Sequence, residues 1–166
     1  LQRNSAQKEY ISGESFLYLG RQYQLVVRKC KTDLVGLMKG RILIKTTKDV
    51  RDTVHNQNLL EGWYAARGEE IFNERYKSVL KKFNYDFIPE LQVRKMSKRW
   101  GSFLAKKKVL LNPELIKASK ECIDYVITHE LCHMKHHDHN TAYYRFLNSK
   151  FPNWEKTKEV LELRFL

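Results

Sequence analysis

The chain has 166 residues, of which 42% are hydrophobic and 12% aromatic, so it can bury one core and is not a disordered segment. No apolar run approaches the ~20 residues needed to span a bilayer, and the opening LQRNSAQKEYISGES lacks the apolar core of a signal peptide. A formal charge of +12 favours acidic partners, with a merely solvated basic face as the plainer alternative.

In chain order, SFLYLGRQYQLVVRKC (15–30) alternates apolar and polar side chains around Gly20 and reads as a β-hairpin. A second pair of strands follows at 34–38 and 41–47, with Gly40 in the turn. From about Gln57 to Phe83, Trp63, Ala66, Ile71, Arg75, Val79 and Phe83 recur at helical spacing, predicting one long helix with Gly62 and Gly68 as weak points. ELQVRKM and RWGSFLAKKKVLLN then read as strands, the second stretch a hairpin with its tip near Ala105–Lys107. Pro113 opens a short helix. Ile123, Ile127, Leu131 and Met134 form the apolar stripe of a buried helix over 120–136. Helices at about 141–149 and 153–163 flank Pro152. Strands come first and helices mostly later, so the expected class is α+β, with the whole of 1–166 as one domain: N-terminal β-hairpins over about 1–50, a helical and sheet part over about 57–166.

Three cysteines, Cys30, Cys122 and Cys132, lack CxxC spacing and leave at least one unpaired. That argues against a disulfide scaffold or a cysteine-built zinc site and for a reducing cytoplasm. The chain starts at Leu1 rather than Met, which leaves room for a removed upstream segment. No acidic residue lies between Glu90 and Glu114, while Arg94, Lys95, Lys98, Arg99, Lys106, Lys107 and Lys108 all do. This basic segment, 94–108, suits nucleic acid or an acidic protein; a membrane partner is not expected.

The segment HELCHMKHHDHN, residues 129–140, carries the chemistry. His129 and His133 are four apart on the predicted helix, one turn apart on one face, where two imidazoles can converge on a zinc ion. His136 faces the same way as His129 but lies about 10.5 Å further along a straight helix, beyond the reach of one ion. His137 is too far from His129. His139 escapes that limit if the helix ends near Asp138 and the chain folds back, with Asn140 capping the next helix. The reading is therefore one Zn2+ held by His129, His133 and His139. Three ligands leave a fourth position for water, and Glu130 can take that water's proton as the metal lowers its pKa. The reaction implied is attack on a carbonyl, with peptide hydrolysis as the leading case.

At this point the sequence resembles the YgjP-like metallopeptidases, a zincin-like family. The resemblance rests on Arg99–Trp100–Gly101–Ser102, the Asn112 strand, Tyr125–Val126, His129–Glu130–His133 and His139, and the hairpin YISGESFLYLGRQYQLVV extends it over nearly the whole chain. It implies a zincin fold with an antiparallel edge strand beside the active-site helix, and places RWGSF on or near that edge, where an extended peptide could pair. Two departures bear on the shape of the cleft: Phe103 stands where the family commonly has Cys, and Tyr143–Tyr144 where it commonly has Phe-Trp. By analogy with wider zincins that cut DNA-bound proteins, the basic segment would suit such a setting.

Candidates for substrate contact or for stabilising the oxyanion are Arg99, Trp100, Tyr143, Tyr144 and Arg145, weighed against packed aromatics and an Arg-Trp stack. Trp63, Trp100 and Trp154 are expected in the core, Cys122 as a small buried hydrophobe, and His55 as solvated. Two other functions compete with the peptidase. A metal-dependent ribonuclease of the YbeY type would use histidines at the same spacing, but that family has Gly where this chain has Glu130. A non-enzymatic, basic, nucleic-acid-associated protein with structural zinc would have to explain a three-ligand site, and no nucleic-acid-binding motif is recognisable.

Overall fold

The computed structural model describes residues 7–105 and 107–165, which fall into two compact units. The first holds residues up to 18 and 22–66; the second holds 19–21 and everything from 67 on. Among the described residues no helix is long and apolar enough to cross a membrane.

The first unit is built on a four-stranded sheet in the order β1-β2-β4-β3: β1 (Ser15–Tyr18), β2 (Arg21–Lys29), β3 (Leu34–Met38) and β4 (Arg41–Thr46). Both expected hairpins form. Each turns on a residue pair in the left-handed region, Leu19–Gly20 and Lys39–Gly40, as tight two-residue turns require. The hairpins join through β2 and β4, which run parallel with Leu25 opposite Ile42 and Val27 opposite Ile44. That register places four alternating apolar side chains on one face, where Phe16 and Leu60 complete the core. Leu60 comes from α1 (Thr53–Leu80), a single unbroken helix that runs through both Gly62 and Gly68. His55 is not solvated as expected: it is half-buried, its Nε2 3.3 Å from Asp33 Oδ1.

In the second unit, a three-stranded sheet has the order β5-β7-β6, from β5 (Glu90–Val93), β6 (Gly101–Leu104) and β7 (Lys108–Leu111). The central β7 is parallel to β5 and antiparallel to β6, which forms an edge. Its Val109, Leu110 and Leu111 are buried. A 3-10 turn, Pro113–Lys117, leads to α2 (Lys120–Leu131), followed by α3 (Thr141–Lys150) and α4 (Trp154–Phe165). Ser119 caps α2, its Oγ accepting from the Cys122 amide at 3.1 Å. A bidentate pair, Arg75 to Asp124 at 2.8 and 2.6 Å, ties the second half of α1 to α2. Cys122, Ile123, Val126, Ile127 and Leu131 bury the apolar side of α2.

Two expectations change. The α-helix stops at Leu131 and continues only as a 3-10 turn, Cys132–Met134. The Tyr85 hydroxyl donates to the Leu131 carbonyl at 2.8 Å, and the Lys135 amide turns to the Cys132 carbonyl instead. The tryptophans are half-buried rather than core.

Candidate metal centre

His129 sits in the last turn of α2, His133 on the 3-10 turn, and His139 in the bend before α3. Asn140 starts α3 by accepting the Tyr143 amide on its side-chain oxygen at 3.0 Å, so the chain folds back as the sequence predicts. One nitrogen from each of the three rings lies within 4.8 Å of the others. His136 and His137 do not join them.

The ring chemistry is matched to a cation. The His133 Nδ1 is 3.0 Å from the His136 carbonyl, so it carries the proton and donates, which leaves the Nε2 lone pair free. That Nε2 faces the His139 Nε2 at 3.0 Å. At that separation the His133 Nε2 can accept an N–H from His139, or both nitrogens can turn their lone pairs to one cation. Burial first, then His133 and His139, hold His129 well below its ordinary value, at about 4, so it is neutral and ready to ligate at neutral pH. Nitrogens around a tetrahedral ion stand roughly 3.3 Å apart; the His133–His139 pair, at 3.0 Å, is near that spacing, and the whole set lies within 4.8 Å. The donor set fits a small divalent metal ion.

Glu130 is 7% exposed, on the turn of α2 that carries His129. Its Oε1 is 3.9 Å from the His129 Nε2. Burial pushes the carboxyl up to about 8, opposed by the Arg99 guanidinium. Arg99 is exposed at the end of the loop that leads into β6, and its backbone carbonyl accepts from the Asn112 side chain at 2.9 Å. Asn112 also donates to the Met96 carbonyl at 2.8 Å and accepts the Glu114 amide, so one buried amide fixes the whole approach to the edge strand. The sequence offered a hint of this, an Asn directly before Pro at a helix start, but not the role.

The other candidates separate in space. Tyr143 is fully buried behind the histidines, its ring stacked on His133 at 4.8 Å and its hydroxyl donated to the His129 carbonyl at 2.8 Å. Burial raises that hydroxyl's pKa far above its ordinary value. Tyr144 is 38% exposed, beside His139 and stacked on Trp154 at 5.4 Å. Trp100 is half-buried next to Gly101. Cys132 is buried and outside the histidine group, with its thiol pushed up to about 12 by burial. The basic segment divides: Arg94 and Lys95 follow β5 and Lys98 and Arg99 precede β6, while Lys107 and Lys108 stand at the far end of β7. Lys106 lies outside the described residues.

Comparison with known proteins gives one family. The model of the YgjP-like metallopeptidase domain matches residues 1–164. Two solved structures share the fold. Abylysin of Pyrococcus abyssi, a metallopeptidase zymogen, is 17% identical, with a TM-score of 0.50 over 56% of this chain and 95% of its own. Jannalysin of Methanocaldococcus jannaschii, also a metallopeptidase zymogen, is 20% identical, with a TM-score of 0.51 over 57% of this chain and 97% of its own. No curated protein matches the chain.

Proposed function

This chain belongs to the YgjP-like metallopeptidase family, and we propose that it is a zinc-dependent peptidase in which His129, His133 and His139 hold the metal and Glu130 is the general base. The observation that carries this reading is the convergence of three imidazole nitrogens within 4.8 Å, with a buried carboxylate on the adjoining turn. Three imidazole nitrogens suit zinc, which when bound would supply a Lewis acid that polarises the scissile carbonyl and acidifies water. Glu130 takes the proton of the attacking water as the C–O bond forms. It then passes that proton to the amine nitrogen as the C–N bond breaks. His133 is kept in the right tautomer by the His136 carbonyl, and His129 is held by the Tyr143 contact to its carbonyl.

An extended peptide would lie along the open edge of β6, flanked by Arg99, Trp100 and Tyr144, while Tyr143 supports the ligands from behind. Arg94, Lys95, Lys98 and Arg99 make an acidic peptide a better substrate than a basic one; a nucleic acid would have to meet the same loop. The family match spans both units, and the chain is read as one peptidase domain. Cys30, Cys122 and Cys132, which form no disulfide with one another, suit a reducing compartment such as the cytoplasm.

The test pairs two measurements. Elemental analysis should give about one zinc per wild-type chain and a large loss in His139→Ala. Peptide cleavage should vanish in Glu130→Gln with zinc retained. A ribonuclease activity that survives Glu130→Gln intact would overturn the peptidase mechanism.

A further inference from the structure

We propose that Gly101 is a positioning residue for Glu130, acting through the absence of a side chain; the inference rests on Glu130 serving as the base. A Cβ at residue 101 would stand 2.8 Å from Val126 Cγ1, 3.1 Å from Glu130 Cγ and 3.1 Å from the Leu110 carbonyl oxygen. Gly101 is not among the glycines with positive φ, so its backbone would accept a side chain; what is lacking is room. Val126 and Glu130 are four apart on α2 and present one face to the first residue of the edge strand. The Gly101 backbone lies across that face.

This contact matters because little else fixes the carboxylate. Among the described residues the Glu130 side chain makes no hydrogen bond, and its Oε1 stands 3.9 Å from the His129 Nε2, too far for one. Packing at Cγ therefore sets its direction. Val126 is β-branched and stiff within a helix, and the Leu110 carbonyl belongs to the strand paired with β6. The carbonyl cannot give and Val126 gives little, so an added methyl would also turn Glu130, the most mobile of the three neighbours. Displacement of a base by about 1 Å lowers turnover on the order of 10²-fold.

The test has a structural arm and a kinetic arm. Thermal melts of the metal-free protein compare wild type, Gly101→Ala, Glu130→Ala and the double variant. Gly101→Ala should lower Tm by about 5 °C, and measurably less in the Glu130→Ala background, because one of the three crowded contacts is gone while those to Val126 and the Leu110 carbonyl remain. Costs that simply add would overturn the proposal. In the zinc-loaded protein, Gly101→Ala should lower kcat about 10–100-fold, with KM and zinc per chain unchanged. An unchanged kcat, or a loss shared with KM and zinc, would also overturn it. Should Gly101→Ala fail to fold, Gly101→Ala/Val126→Ala relieves the tightest contact and keeps the one to Glu130, so the same kcat loss is expected. Wild type that cleaves no peptide would sink the peptidase reading, while the melts would still decide whether Gly101 shapes the seat of Glu130.

Discussion

The two units bury different kinds of polar group. In the first, Asn56 is fully buried on α1; its side-chain NH2 donates to the Tyr10 and Val50 carbonyls at 3.1 and 3.0 Å, while its Oδ1 has no hydrogen bond among the described residues. The same unit buries Leu25, Ile42, Ile44 and Leu60 completely. In the second, α2 buries Glu130 with no hydrogen bond to its carboxylate among the described residues, and the buried His129 Nδ1 also has none. An unsatisfied buried polar atom costs about 1–3 kcal/mol. In the second unit the bare groups are ionisable and stand together at the candidate site, which sets them apart from an amide whose two donated bonds tie α1 to the chain around it.

The sharpest way to break this contrast is Glu130→Gln. It should lower peptide cleavage about 10²–10⁴-fold while Tm stays level or rises; a fall in both would make Glu130 a structural residue, as calorimetry beside a fluorogenic peptide assay would reveal. The mirror image is Ile42→Ala in the first unit. It should cost about 2–5 kcal/mol in denaturant unfolding with zinc stoichiometry intact in the folded fraction.

Asn112→Ala falls between these extremes, because this buried amide serves both ends. Removing it leaves the Met96 and Arg99 carbonyls without their donor, at about 1–3 kcal/mol, and loosens the loop before β6. KM for peptide should rise with the stability loss; loss of stability alone would mean that the loop does not meet substrate. Tyr143→Phe removes only the hydroxyl on the His129 carbonyl. About 1 kcal/mol in urea melts and a zinc affinity weaker by no more than about tenfold are expected, with competition against a chromogenic chelator as the readout. The smallest effect sharpens the case for Gly101. Gly62 has nothing within 4 Å of an added Cβ, on the exposed face of α1, so Gly62→Ala should stabilise by about 0.5–1 kcal/mol.

Much of this was legible in the sequence where local rules act alone. Two-residue alternation marked β1 to β4, glycines marked both turns, and the 3.6-residue period marked α1. The fold-back to His139 followed from a distance limit on one metal ion plus a capping Asn140. What stayed hidden depends on partners distant in sequence. The parallel pairing of β2 with β4 is a choice among registers that both hairpins would tolerate alone. The early end of α2 at Leu131 depends on the Tyr85 hydroxyl, 46 residues away. Gly101 looked like one more strand glycine until α2 lay against it, and Tyr143 looked like a cleft residue until its hydroxyl was found on the His129 carbonyl.

The His133 tautomer is governed by a main-chain oxygen, that of His136. Every amino acid supplies that oxygen, so position 136 can drift through the genetic code while the His133 imidazole keeps its acceptor. Spacing has no such freedom. One residue inserted or deleted between 133 and 139 would move both the carbonyl and the third imidazole, so inheritance at this centre acts on the length of a loop as much as on its letters.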